Sequence, residues 1–345
     1  MIKTARYAPH ALLSAGVLAF ALGAPARAAE NPEEMFKGKA ITIYIGFSPG
    51  GTYDLFGRML GRFIGKHIPG QPTVVSSNMP GAGSFTASNW LYRIAPKDGT
   101  AIGTVSQTLA IDEALKSKGV QFKAADFSWI GRITSNVEVQ VVSTRTAGYT
   151  LEGARQLVVP LASTGPGSPS DTYPKIMNDV LGTKFKIIRG FPGSTDGLLA
   201  VERGEVEGAL TSWNTMKSTR MNWLTEKKVA LFVQYVPKRS PDLKDVPALT
   251  EFAANDDDRK LLAFAVSSAE IGRSILGPPG IPADRLAVLR KAFDATMKDP
   301  ELLAEVAKSN LDFEPLDGAS LAKIVAETAN ADAKVIERMQ KILAE

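Results

Sequence analysis

Apolar and polar positions alternate from residue 41 to residue 47. Ile41, Ile43, Ile45 and Phe47 fall on one face, with Thr42, Tyr44 and Gly46 between them. A period of two predicts a half-buried strand. Ser48-Pro49-Gly50-Gly51 then breaks the pattern as a turn. Leu55, Phe56, Met59, Leu60, Phe63 and Ile64 recur at three- and four-residue spacing, which predicts a helix with one buried face. Pro72–Ser77 reads as a second strand, Phe85, Trp90, Leu91 and Ile94 mark a second helix, and Ala101–Ser106 reads as a third strand. This β-α-β-α-β order predicts a mostly parallel sheet covered by helices. A second such unit follows. Its strands are Val137–Ser143, Leu157–Ser163, Lys184–Arg189, Glu207–Ser212 and Val229–Tyr235, and its helices end at Gly182 and Gly204. Beyond Gly277-Pro278-Pro279-Gly280 the pattern is helical to the end. The expectation is an α/β protein of two lobes, 30–136 plus 265–345 and 137–264. The closing helices are expected to pack back on the first lobe.

The first 28 residues have a different character. Lys3 and Arg6 precede an apolar run, Ala11–Gly23, and Ala26-Arg27-Ala28 has the small-x-small cleavage pattern of a secretory signal peptide. The run is shorter than the roughly 20 apolar residues a transmembrane helix needs. Its removal takes away three basic residues and no acid, so the formal net charge of +4 drops by three. A near-neutral exported chain lacks the basic footprint of a nucleic-acid binder. With no cysteine in 345 residues, thiol nucleophiles, disulfides and cysteine-held metals or clusters are excluded. Removal of the leader also takes His10 and leaves His67 as the remaining histidine, which argues against a metal site.

Four glycine-rich turns follow strands. They are Phe47-Ser48-Pro49-Gly50-Gly51-Thr52-Tyr53-Asp54, Pro80-Gly81-Ala82-Gly83-Ser84, Ser163-Thr164-Gly165-Pro166-Gly167-Ser168 and Phe191-Pro192-Gly193-Ser194-Thr195-Asp196. Glycine lets backbone N–H groups converge on a ligand, and a helix N-terminus adds unpaired donors and partial positive charge. Such loops suit carboxylate or phosphate groups without Lys or Arg. In open α/β sheets, ligands bind outside the carboxyl ends of the strands. Taken singly, each loop is equally an ordinary tight turn, and Asp54, Asp171 and Asp196 read as caps or braces. Tyr53, Phe191 and Trp213 are aromatic residues placed to line a cleft or to pack a wall.

Enzyme motifs fail on inspection. Gly46-Phe47-Ser48-Pro49-Gly50 matches the G-x-S-x-G elbow, but Pro49 removes the oxyanion-hole N–H and no histidine follows late in the chain. Gly61 to His67 is one residue short of a phosphate-binding P-loop and lacks its Ser/Thr. An exported enzyme using a carboxylate acid–base pair stays open as an alternative, as does an exported ligand-sensing accessory protein.

The ordered set of motifs resembles the Bug-type solute-binding proteins of tripartite tricarboxylate transporters. The matching stretches are Lys39–Asp54, Asn78–Gly83, Pro96–Thr100, Gly165–Ser170, Gly190–Ser194, Glu202–Gly208, Pro278–Pro282 and Met297–Pro300. The resemblance implies a two-lobed periplasmic-binding-protein (type II, Venus-flytrap) fold and no catalysis, cofactor or metal. It implies a monomer that delivers a small organic acid to a membrane permease. It also implies a carboxylate held by backbone amides, small hydroxyls and water. Carried over by position, the ligand-binding set is Phe47, Ser48, Gly50, Gly51, Thr52, Tyr53, Asp54, Pro80, Gly81, Ala82, Gly83, Ser84, Ser106 and Gln107 in one lobe. In the other it is Ser163, Thr164, Gly165, Ser168, Asp171, Phe191, Gly193, Ser194 and Asp196, with Trp213 nearby. Two departures fall beside the expected ligand. Asp171 stands where many relatives carry His, and Phe191-Pro192-Gly193 stands where many carry Tyr-Lys-Gly. Asp171 is expected to add negative charge there. Hinge motion is expected near 134–138 and 264–270.

Overall fold

The structure, a computed structural model, describes residues 1–2 and 31–344. The apolar run Ala11–Gly23 and the Ala26–Ala28 cleavage pattern lie outside the described residues. Among the described residues, no helix is long and apolar enough to cross a membrane.

Two sheets organise the chain. The first contains β1 (Ala40–Ile45), β2 (Thr73–Asn78), β3 (Ala101–Thr104), β4 (Ser128–Thr134), β10 (Arg273–Gly277) and β11 (Leu316–Asp317), in the order β11-β4-β10-β3-β1-β2. The second contains β5 (Glu138–Ser143), β6 (Val159–Ser163), β7 (Phe185–Arg189), β8 (Gly208–Ser212) and β9 (Val229–Tyr235), in the order β7-β6-β8-β5-β9. In β1 the alternation works as the sequence predicts. Ile41, Ile43 and Ile45 are fully buried among Phe56, Met59 and Leu60 of the Thr52–Phe63 helix.

Both sheets are mixed, not mostly parallel. The βαβ units give parallel β1–β2, β1–β3, β6–β7 and β6–β8 pairs. The strands on either side of the crossovers run the other way: β10 is antiparallel to β3 and β4, and β5 to β8 and β9. β10 and β5 are the strands by which the chain enters one sheet directly from the other, and these two run against the direction of the βαβ strands beside them. The sequence pattern does not reveal β4 or β10. Gly131 and Arg132 interrupt β4, and Arg273 opens β10. Gly131 is there because a Cβ would sit 2.2 Å from the Phe293 ring, which packs on this strand.

The closing helices divide. Ala283–Thr296 and Gly318–Ala329 cover the first sheet, burying Phe293 and Leu321. The last helix, Ala333–Ala344, does not join them. Its Met339 and Ile342 are buried with Tyr173, Met177 and Leu262 of the second sheet's helices, and Arg338 pairs with Asp258 at 2.7 Å and Asp179 at 3.1 Å.

Candidate functional site

The loops that follow β1, β6 and the Arg189 end of β7 open the helices Thr52–Phe63, Pro169–Leu181 and Ser194–Arg203. None of these helices has a side-chain hydrogen bond at its N-cap, Gly51, Ser168 or Gly193. All three first turns meet at one cavity between the sheets. Of the residues expected there, Phe47, Ser48, Gly51, Thr52, Tyr53, Ser163, Thr164, Phe191, Gly193 and Ser194 line it. Ser170, Thr211 and Ser212 join them. The cavity holds about 50 Å³. At 10–15 Å³ per water this is room for roughly three to five waters, enough for a carboxylate group but not for a long acid unless the walls part.

The two sides are closed on each other. Ser48 Oγ donates to Asp196 at 2.7 Å, and Ser48 N–H reaches the Pro192 carbonyl at 3.4 Å. Thr52 and Ser212 share a hydroxyl–hydroxyl bond of 2.9 Å. Gly83 N–H donates to the Thr164 carbonyl at 3.2 Å, and Thr108 Oγ1 to the Gly167 carbonyl at 2.6 Å. Asp196 and Gly83 therefore serve as bridges between the sides rather than as cavity wall. Gly83 needs its missing side chain on two counts: its φ is +64°, and a Cβ would lie 2.5 Å from the Pro166 carbonyl.

A buried ion pair that the sequence reading did not single out sits at the inner end of the cavity. Arg273 opens β10 and Glu138 opens β5, each just past a crossover between the sheets. Both side chains line the cavity and both are almost fully buried. Arg273 donates to Gln107 Oε1 at 2.9 Å and to Thr52 Oγ1 at 3.1 Å, and its guanidinium lies 3.9 Å over the Tyr53 ring. Tyr53 is stacked on Phe47 and its hydroxyl accepts the Gln107 N–H at 2.9 Å. Burial raises the Tyr53 phenol, with Arg273 pulling the other way. Burial also pushes the Glu138 carboxyl up to about 7, again against Arg273. Beside the loops, which suit an anion without Lys or Arg, a guanidinium also stands in the wall. The signal that could have found it is a lone Arg followed by three strand-like residues directly after the expected second hinge. Nothing marked Glu138 out from an exposed strand position.

Other expected residues are structural. Asp54 accepts from Gly50 N–H at 3.0 Å, Arg58 Nε at 2.8 Å and Asn78 Nδ2 at 2.9 Å, so it braces the first loop. Pro80, Ala82 and Gly50 are exposed on the loop tips, and Gly81 packs on Thr86. Ser84 Oγ accepts the Ser106 N–H, and Ser106 Oγ bonds Thr108. Ser168 Oγ donates to the Gly165 carbonyl at 2.8 Å, closing its own turn. Asp171 adds no free charge to the cavity. Arg189 pairs with it at 2.6 Å, and it lines a separate hollow with Asp112 and Gln340. His67 pairs with Asp299 at 2.7 Å and does not line the cavity.

Trp213 also turns away. Its Nε1 donates to Asp242 at 3.0 Å, and its ring packs with Val139, Met216 and Trp223. Trp213→Phe should therefore leave ligand affinity unchanged within about twofold while lowering stability by about 1 kcal/mol for the lost hydrogen bond. Calorimetric titration beside thermal melting separates the two, and a loss of affinity without a loss of stability would return Trp213 to the cavity.

The model of the family TctC, tripartite tricarboxylate transporter family receptor, matches residues 62–341. The chain belongs to that family. TctC proteins are solute-binding receptors, and the two-lobed fold agrees. A Cupriavidus necator protein described as the UPF0065 protein in the gbd 5'region is 24% identical over 354 aligned positions, covering 96% of this chain and 97% of its own. Among solved structures, the periplasmic binding protein BugD superposes with a TM-score of 0.71 at 18% identity, covering 89% of this chain and 98% of BugD. MatC from Rhodopseudomonas palustris, with bound malate, gives a TM-score of 0.69 at 19% identity, covering 89% of this TctC chain and all of MatC, 100%. A second R. palustris protein, with adipate, gives 0.67 at 15% identity over 88% of this chain and 97% of its own.

Proposed function

We propose that this TctC protein is a periplasmic receptor that closes two lobes, one built on each sheet with the last helix in the second, over a small organic carboxylate. It then presents the acid, chemically unchanged, to the permease of a tripartite transporter. It acts as a monomer after its leader, residues 1–28, is removed, and takes no cofactor, metal or nucleic acid. The observation that supports this most is the convergence of three helix N-termini, drawn from both sides, on one small closed cavity. Such ends hold anions through unpaired N–H donors and the helix dipole. Ser48, Thr52, Ser163, Thr164, Ser194 and Thr211 supply directed hydroxyls around them. The malate and adipate of the two R. palustris neighbours are anions of this kind.

A thermal-shift panel of mono-, di-, tricarboxylic and aromatic acids on the mature protein tests the reading. An acid at 100 times its dissociation constant adds about 2.7 kcal/mol. That moves the midpoint by several degrees, at roughly 2–4 °C per kcal/mol. One stabilising acid recovered intact is the expected result. A panel with no stabilising acid, or an acid recovered as product, overturns it.

A further inference from the structure

Arg273 and Glu138 are the charged side chains among the described residues that line the cavity. Their approach is incomplete: Arg273 Nη2 lies 3.8 Å from Glu138 Oε1, beyond hydrogen-bond range. The guanidinium instead directs its bonds to the neutral oxygens of Thr52 and Gln107 and its face to Tyr53. Glu138 Oε2 is buried with no hydrogen-bond partner. Its charge is held by the field of Arg273 and by a side-chain hydrogen bond with Asn136, with one oxygen left bare.

The groups facing Glu138 from the other packed elements cannot take over its charge. They are Tyr53 on the Thr52–Phe63 helix, Tyr173 on the Pro169–Leu181 helix and Tyr235 on β9. Burial raises all three phenols, so they stay neutral across the ordinary pH range. Asn136, in the crossover before β5, hydrogen-bonds Glu138 and donates to Gln107 at 2.8 Å, but it is a neutral amide. Among the described residues Arg273 is thus the one counter-charge in the wall, and an entering organic anion competes with Glu138 for it. Two carboxylates sharing one buried cation cannot both stay ionised cheaply, and the one left with a buried, unpartnered oxygen yields.

We propose that carboxylate capture is coupled to uptake of a proton from solvent by Glu138, so that the ligand replaces Glu138 as the counter-charge of Arg273. The inference rests on the carboxylate-receptor reading and adds a pH sign to it. Burial has already brought Glu138 to about 7, so the proton is available near neutrality. Affinity should fall as pH rises, in a window where the carboxyls of malate, adipate and benzoate remain ionised.

The test titrates malate, adipate, citrate and benzoate into the wild type and Glu138→Gln by calorimetry at pH 6.5 and 8.5. The expected result is at least one acid whose dissociation constant in the wild type is about tenfold or more weaker at pH 8.5, and equal within about twofold at both pH values in Glu138→Gln. Repeating the wild-type titration at pH 8 in two buffers of different ionisation enthalpy should show about one proton taken up per acid bound, a reading that needs no variant. Binding with no pH dependence in the wild type, or with the same dependence in Glu138→Gln, overturns the proton coupling and leaves the receptor reading intact. No binding by any of the acids at either pH overturns both.

Discussion

Gly193→Val is expected to abolish most ligand capture while leaving the ligand-free protein as stable as the wild type. Gly193 is extended, with φ −162° and ψ 174°, so its backbone accepts any residue. A Cβ there would lie 2.1 Å from Ser48 Oγ on the opposite side of the cavity, whereas the nearest atom of its own side, Asp196 Oδ2, is 3.4 Å away. The added bulk is therefore harmless until the two sides close. Closure then needs Ser48 to move, and Ser48 is tied to Asp196. Overpacking of this kind costs roughly 1–3 kcal/mol. Borne entirely by the closed state, that is a loss of about 5- to 150-fold in affinity. If the ligand-free protein is open at this contact, its stability should stay within about 0.5 kcal/mol of the wild type. Calorimetric titration with the stabilising acid, paired with small-angle scattering, reads both halves. Unchanged affinity would mean that the Ser48–Gly193 contact is no part of the bound state.

The second large effect concerns the buried pair. Arg273→Met should destabilise the protein increasingly as pH rises, and adding Glu138→Gln should recover most of the loss. Removing one member of a buried pair leaves the other charge uncompensated, at about 3–5 kcal/mol. The sign follows from protonation. The folded Glu138 carboxyl is raised by burial to about 7, so its contribution to stability is full below the unfolded value near 4.5 and is lost as pH rises toward 7. Without Arg273, the factor that lowers this value is gone, so the loss continues above pH 7. Wild type and Arg273→Met should differ least near pH 5, where Glu138 is neutral in both, and most near pH 9. Part of the deficit persists at every pH, because Arg273 also bonds Thr52 and Gln107 and covers Tyr53. At pH 8.5 the melting midpoint should fall by roughly 6–20 °C, taking about 2–4 °C per kcal/mol. Thermal melting of the two single variants and the double variant across pH forms a double-mutant cycle. A deficit of equal size at pH 5 and pH 9, or a double variant no better than Arg273→Met, would show that the pair is not electrostatically coupled.

The loops of the site were legible in the sequence because glycine and proline mark them directly. Ser48 to Thr52, Ser163-Thr164 and Phe191 to Ser194 are where the cavity is. The strands of the βαβ units were legible for the same reason β1 was: one buried face, one pattern. What escaped was set by long-range geometry. β4 reads poorly because Gly131 makes room for Phe293, about half the chain away. The charge on Asp171 looked free because Arg189 reaches it only through the parallel pairing of β6 with β7. Trp213 faces away from the cleft because Asp242 holds its indole. Arg273 and Glu138 are 135 positions apart in sequence, and the fold brings them together because each opens a strand, β10 and β5, just past a crossover between the sheets.

The last helix changes what sort of machine this is. Besides the crossovers at 135–137 and 267–272, the chain passes a third time from the first sheet's helices to the second's, through the short link between Ala329 and Ala333. Three residues span at most about 10 Å when fully extended. That link works as a leash. However far the two strand crossovers could swing, the jaw cannot gape wider than the leash allows unless Met339 and Ile342 first leave their core. Closing therefore starts from a narrow range of postures, which limits the orientational freedom given up at the moment a solute is caught.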